Sequence, residues 1–155
     1  MTDKHVQLVV FNLDERAYAL YLSAVERVVR AVEVTPFPKA PDIVAGAVNV
    51  RGRIIPLLNI RRRFHLPERE MDLSDQLIIS KTSNRTVALA ADSVNGVFVR
   101  PAEAVTEKDR IVPGLEYVEG VIKLKDGLVL IHDLDTFLSI EEKAGLDAVI
   151  NNRQE

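Results

Sequence analysis

The stretch QLVVF at residues 7–11 returns as QLIIS at 76–80. The same offset of 69 lays RAYALYLSAVERVV (16–29) over RTVALAADSVNGVF (85–98), matching Arg16 with Arg85, Ala19 with Ala88, Leu20 with Leu89, Val25 with Val94 and Val28 with Val97. At an offset of 74, GAVNVRGRIIPLLNIRRRF (46–64) overlies GVIKLKDGLVLIHDLDTFL (120–138). Self-similarity of this kind means that one structural unit is built twice. The second copy carries five extra residues between its matched blocks.

Each copy reads as β. Runs rich in Val, Ile and Leu at 6–11, 17–22, 28–34, 47–50 and 54–58 are separated by turn residues, and the second copy supplies 77–80, 86–91, 97–100, 121–125 and 128–131. Five short strands per copy predict two small SH3-like barrels around a shared hydrophobic seam, because closing a sheet on itself removes the edges that short strands would expose. At 155 residues and 47% hydrophobic content the chain has enough apolar surface for such a core. It is expected to be a single domain over 1–155, with one barrel at about 14–70 and a second at about 76–138.

Helical signals are short. Ser23 with Glu26 has capping-box spacing, and Ser139 with Glu142 repeats it at the head of a C-terminal helix expected over 139–152. Asn59 and Asp133 stand at equivalent places in the two copies and are candidate N-caps.

The chemistry of enzymes is missing. Cysteine is absent, which excludes disulfides, thiolate metal sites and a cysteine nucleophile. The three histidines, His5, His65 and His132, sit in no catalytic motif; His132 and Asp133 align with Leu58 and Asn59, so they mark a strand end and a helix cap. No Walker loop, G-x-G-x-x-G or metal-ligand spacing occurs, so no catalytic residue, cofactor or metal is expected. The acidic string PEREMDLSD at 67–75 lacks the glycine and terminal glutamate of a calcium loop and reads as a solvated linker. No signal peptide or membrane span is legible, so the expected location is the cytoplasm.

The segment 48–64 packs five arginines into a chain whose formal net charge is −3. Arg61, Arg62 and Arg63 are consecutive, so on a helical turn they point about 100° apart and cannot track one phosphate backbone. From Arg61 to Asp75 four arginines meet Glu68, Glu70, Asp72 and Asp75, a net charge of zero. Nucleic-acid binding is therefore not expected, and the trio reads as a solvated turn. Arg51 and Arg53 flank Gly52 at a hairpin tip. From the residues alone that tip is either a plain solvated turn or a rigid grip for a carboxylate or backbone carbonyls of a partner.

The order YAL-x-L-x-x-V, then TPFPKAPDIVAGAVNVRGRIIPLLNIRRRF, then VALAADSV, then PGLEYVEGVIKLKDGLVLIHDLDTFL closely resembles the CheW-like domain of bacterial and archaeal chemotaxis coupling proteins over about 7–142. Its most specific part is Gly46 followed by NVRG and P-x-x-N/D-x-R. The resemblance implies two five-stranded barrels, with the N-terminal strand (6–13) able to join the second. It implies a non-enzymatic scaffold that couples methyl-accepting receptors to the regulatory domain of the CheA histidine kinase, with self-association in arrays at the membrane and no insertion into it. Carried over, the receptor groove comprises Val25, Gly46, Asn49, Arg51, Gly52, Ile78, Val94 and Val97. The kinase contacts are placed at Glu119 and Gly120 and at exposed apolar positions on both barrels.

The chain departs from the family pattern at Asn59, where aspartate is usual, at His65, where glycine is common, and at Arg27, where an acidic residue is common. Asparagine caps as well as aspartate. A reversed charge at Arg27 bears on which receptor is accepted. Two rivals remain: a coupling protein of a non-flagellar system such as twitching motility, and a small barrel that binds nucleic acid.

Overall fold

The computed structural model describes residues 4–107, 117–125, 127–137 and 140–153. Twelve strands are present among them: β1 (His5–Leu13), β2 (Arg16–Tyr21), β3 (Val25–Arg30), β4 (Val34–Thr35), β5 (Val44–Val50), β6 (Arg53–Leu58), β7 (Gln76–Lys81), β8 (Thr86–Ala91), β9 (Ser93–Pro101), β10 (Val105–Glu107), β11 (Val118–Leu124) and β12 (Gly127–His132). Two α-helices join them, α1 (Ile60–Arg63) and α2 (Ile140–Arg153), with 3₁₀ turns at Leu22–Ala24, Ala102–Ala104 and Leu134–Thr136.

The strands form two six-stranded sheets in the orders β10-β11-β12-β2-β1-β9 and β3-β7-β8-β6-β5-β4. The repeat makes β1–β6 one copy and β7–β12 the other. Each sheet therefore consists of four strands of one copy and the first hairpin of the other. The pairings repeat as well as the strands: β2 runs parallel to β12 at Ala19↔Ile131, and β8 runs parallel to β6 at Ala88↔Leu57. These pairs are equivalent under the two offsets.

The mainly β, two-barrel expectation agrees with this architecture, and three details differ. Each sheet has six strands instead of five, because the run expected at 28–34 divides into β3 and β4 and the short β10 adds its counterpart. The division of the chain also differs. One sheet takes a contiguous segment, 25–91, and the other takes 5–21 together with 93–132, so β2 sits with the second copy and β7–β8 with the first. The Ser23/Glu26 capping box does not form: the 3₁₀ turn there has Tyr21 as its N-cap with no side-chain bond, and Glu26 lies in β3. The other proposed box starts at Ser139, outside the described residues.

Three hydrophobic clusters explain why the apolar runs are continuous instead of alternating. Leu77, Ile79 and Ala88 point into one sheet's own core with Val48, Ile55 and Leu57. Leu8, Val10 and Ala19 do the same in the other with Ile122, Val129 and Ile131. The intervening residues Phe11, Tyr18, Leu20, Ile78, Val87 and Leu89 face the opposite way, into a seam shared by the two sheets and closed by Leu146 of α2. A strand with both faces buried reads as an unbroken apolar run.

Turns and caps follow the local chemistry. The β1–β2 hairpin turns through Asp14 (φ 50°) and Glu15 (φ 67°), the left-handed pair that a two-residue hairpin needs. Asn59 caps α1 as expected, its Oδ1 accepting the Arg62 N–H at 3.1 Å. Asp133 caps the 3₁₀ turn at Leu134–Thr136 by accepting the Asp135 N–H at 3.0 Å.

Candidate interaction surface

At the β5–β6 tip, Arg51 (φ 52°) and Gly52 (φ 85°) form the two central residues of the turn. Asn49 Oδ1 accepts the Gly52 N–H at 2.9 Å, which fixes the loop. Arg53 is bound back to its own unit, donating to Glu26 at 2.7 Å and to Thr86 at 3.1 Å. Arg51 is exposed and takes no part in the ion pairs that occupy Arg53, Arg61, Arg62 and Arg63. Of the two tip arginines it alone has a guanidinium that its own unit does not hold.

Gly46 and Gly120 are equivalent at offset 74, and both are buried at bulges where β5 and β11 pair with the edge strands β4 and β10. A Cβ on Gly46 would lie 2.6 Å from the Thr35 carbonyl oxygen and 2.6 Å from Val34 Cγ1. On Gly120 it would lie 2.8 Å from Val105 Cγ1 and 3.1 Å from the Thr106 oxygen. Both glycines permit close approach of a neighbouring strand, and neither offers a contact surface.

The other groove candidates divide by exposure. Ile78 is fully buried in the seam, where it supports the surface from beneath. Val25 and Val94 are half-buried and pack against the same seam, and the Val94 N–H is held by Gln76 Oε1 at 2.8 Å. Val97 is 53% exposed on β9, and its repeat partner Val28 is 36% exposed on β3. Glu119 is exposed on β11 beside Gly120.

A second equivalent pair escaped the sequence reading. Ile54 on β6 and Leu128 on β12 are 61% and 72% exposed, and they align at offset 74. Exposed large apolar residues that recur at the same place in both copies mark partner surfaces better than a single stray residue does. The offset itself was the available signal.

The arginine trio is not a solvated turn. Arg61 is 8% exposed and donates to Asp14 at 2.8 Å, to Asp92 at 2.7 Å and to the Pro67 carbonyl at 3.1 Å. Arg63 donates to Glu142 at 2.6 and 2.8 Å and to the Tyr117 hydroxyl at 3.1 Å, with its guanidinium over the Tyr117 ring. Only Arg62 faces outward, towards Glu68 and Asp42. Nor is the 67–75 segment a free linker. Asp75 is buried and accepts from Arg69, which also bonds Asp92. Burial alone would favour the neutral acid at Asp92, but the Asp14 N–H, Arg61 and Arg69 together hold its carboxyl below the usual carboxylate range.

Among the described residues no group of three His, Asp or Glu side chains is placed to hold a metal ion, and no helix is long and apolar enough to cross a membrane. The model of the CheW-like domain matches residues 7–142. The chain belongs to the CheW-like family. It is 28% identical to the chemotaxis protein CheW of Treponema pallidum over 148 residues, covering 92% of this chain and 87% of that one. It is 27% identical to CheW of Thermotoga maritima over 140 residues, with 87% and 89% covered. FrzA of Myxococcus xanthus matches 70 residues at 29% identity, 45% of this chain and 44% of that one. The crystal structure of the scaffolding protein TtCheW from Thermoanaerobacter tengcongensis superimposes with a TM-score of 0.79 at 26% identity, covering 90% of this chain and 96% of that one. CheW-like membership accounts for the double sheet. The arginine of the P-x-x-N-x-R segment is the buried Arg61.

Proposed function

We propose that the chain is a chemotaxis coupling scaffold that joins the cytoplasmic tip of a methyl-accepting receptor to the regulatory domain of a CheA-type kinase. The observation that carries this reading is the repeated display of apolar side chains, Val28 with Val97 and Ile54 with Leu128, together with the unengaged Arg51. The receptor tip, a helical hairpin, lies along Val25, Val28, Val94 and Val97 in the helix-in-groove mode, with Arg51 fixing its register. The kinase domain docks at the barrel ends through Ile54 and Leu128, with Glu119 alongside. Contacts this modest gain strength when many copies are held in an array at the membrane, where coupling proteins also meet one another.

Co-sedimentation with a receptor cytoplasmic fragment tests the receptor half. Arg51→Ala is expected to leave circular dichroism and melting unchanged, since an exposed side chain without partners contributes within about 0.5 kcal/mol. The same variant weakens receptor binding about tenfold, the loss of one anchoring contact. Equal binding by variant and parent removes Arg51 from the site. For the kinase half, Ile54→Ser with Leu128→Ser is expected to leave the melting temperature near that of the parent and to weaken capture of the CheA regulatory domain about tenfold. Retention of full capture would remove both residues from the kinase surface.

The partial match to FrzA keeps a non-flagellar chemosensory system as the second reading of which array the scaffold joins. Pull-down with receptor tips and CheA regulatory domains of the same genome separates the two. The nucleic-acid rival loses its main support, because the arginines at 61–63 are all engaged by carboxylates.

A further inference from the structure

Among the described residues the chain passes between the two sheets at two points, the 3₁₀ turn Leu22–Ala24 and the single residue Asp92 between β8 and β9. Whatever fixes the angle between the sheets must lie near those passages or in the seam. Helix α1 leaves β6 of one sheet, yet its polar contacts lie mostly outside that sheet. Arg61 bonds Asp14, at the tip of the β1–β2 hairpin in the other sheet, and Asp92 at the crossing itself. Asp92 is in turn held by the Asp14 N–H at 2.8 Å, so hairpin tip, crossing and guanidinium form one closed triangle. Two residues on, Arg63 reaches Tyr117 and Glu142, and Phe64 stacks on Tyr18 at 4.8 Å and lies tilted against His132 at 4.4 Å. Arg62, between them, pairs with Glu68 and Asp42 of its own segment.

We propose that Arg61 is a positioning residue for receptor recognition: by tying Asp14 and Asp92 to α1 it sets the angle between the two sheets, and with it the spacing of Val28 on β3 from Val97 on β9. This rests on the receptor reading above, because only a partner that spans both sheets senses that spacing. Val28 and Val97 belong to different sheets, so no contact within either sheet fixes their separation. A planar guanidinium bonded to two carboxylates is well suited to the task, since its fork geometry allows little rotation.

The test uses the full chain, labelled with ¹⁵N, and residual dipolar couplings measured separately for the two sheets, beside receptor-fragment binding. In Arg61→Met each sheet is expected to keep its internal couplings while the relative orientation of the sheets changes, and binding falls about tenfold although no groove residue has been altered. Arg61→Lys restores the charge but not the fork, and recovers part of both effects. Arg62→Met changes neither. Asp14→Asn, which keeps the Asp92 bond, gives a smaller change in the same direction and serves if Arg61→Met does not fold. The parent orientation in both Arg61→Met and Asp14→Asn would overturn the proposal, as would an altered orientation with undiminished binding. Failure of the parent to bind any receptor fragment overturns the receptor reading instead, and the couplings still decide whether Arg61 sets the angle.

Discussion

Gly46→Ala is expected to lower the stability of the chain by about 3 kcal/mol, at the upper end of what one overpacked methyl group costs. The added Cβ would meet the Thr35 carbonyl oxygen at 2.6 Å, and that oxygen belongs to backbone paired with Ala47, so it cannot swing aside. For a chain of this length such a loss lowers the melting temperature by about 10 °C. Gly120→Ala provides the internal comparison. Its nearest neighbour is the side-chain atom Val105 Cγ1 at 2.8 Å, which a change of rotamer relieves, so the expected cost is about 1 kcal/mol. Thermal melts of both variants and the parent decide the matter, and a Gly46→Ala melt that coincides with the parent's would falsify the strand-approach argument. The result also bears on function. A Gly46 variant that loses receptor binding does so by displacing β4, whereas an Arg51 variant loses it with the fold intact.

The repeat made much of the fold legible. Offsets of 69 and 74 identified equivalent strands, equivalent caps at Asn59 and Asp133, and equivalent glycines at 46 and 120. It did not reveal that the copies exchange their first hairpins. The alternation of side chains along β2 or β7 is the same whichever copy it pairs with, and strand periodicity reports a buried face without naming the partner that buries it. The arginine trio failed for a related reason. Charge counting compared Arg61 with acidic residues nearby in sequence, but its carboxylates lie 47 and 31 residues away, and that of Arg63 lies 79 away. The turn geometry at Asn49, Arg51 and Gly52 was legible because it rests on local chemistry. The depth of Ile78 and Gly46 was not: they match a pattern shared with exposed residues, yet one fills the seam and the other makes room for a strand.

Acidification should open the seam at His132. Its ring lies among Tyr18 at 5.5 Å, Phe64 at 4.4 Å and Phe137 at 5.9 Å, is 4% exposed, and neither ring nitrogen has a hydrogen-bond partner. Burial pushes its pKa down from 6.5 to about 4, with the nearby Tyr117 backbone opposing only in part. The unfolded chain therefore takes up the proton before the folded chain does. Stability from the neutral ring is complete above pH 6.5, declines as pH falls towards 4, and is gone below that value. The shift corresponds to about 3 kcal/mol in full and to about 2 kcal/mol at pH 5. Carboxylates such as Asp92 titrate lower, and their contribution is removed by comparison with His132→Leu, which installs the residue that the first copy already carries as buried Leu58. Urea unfolding of both proteins at pH 7 and pH 5 is expected to show the variant gaining about 2 kcal/mol on the parent over that interval. A constant difference between them would mean that the ring is protonated, or reached by water, in the folded seam. Because Phe64 follows α1 directly and packs tilted against this ring, a protonated His132 would disturb the same junction that Arg61 holds.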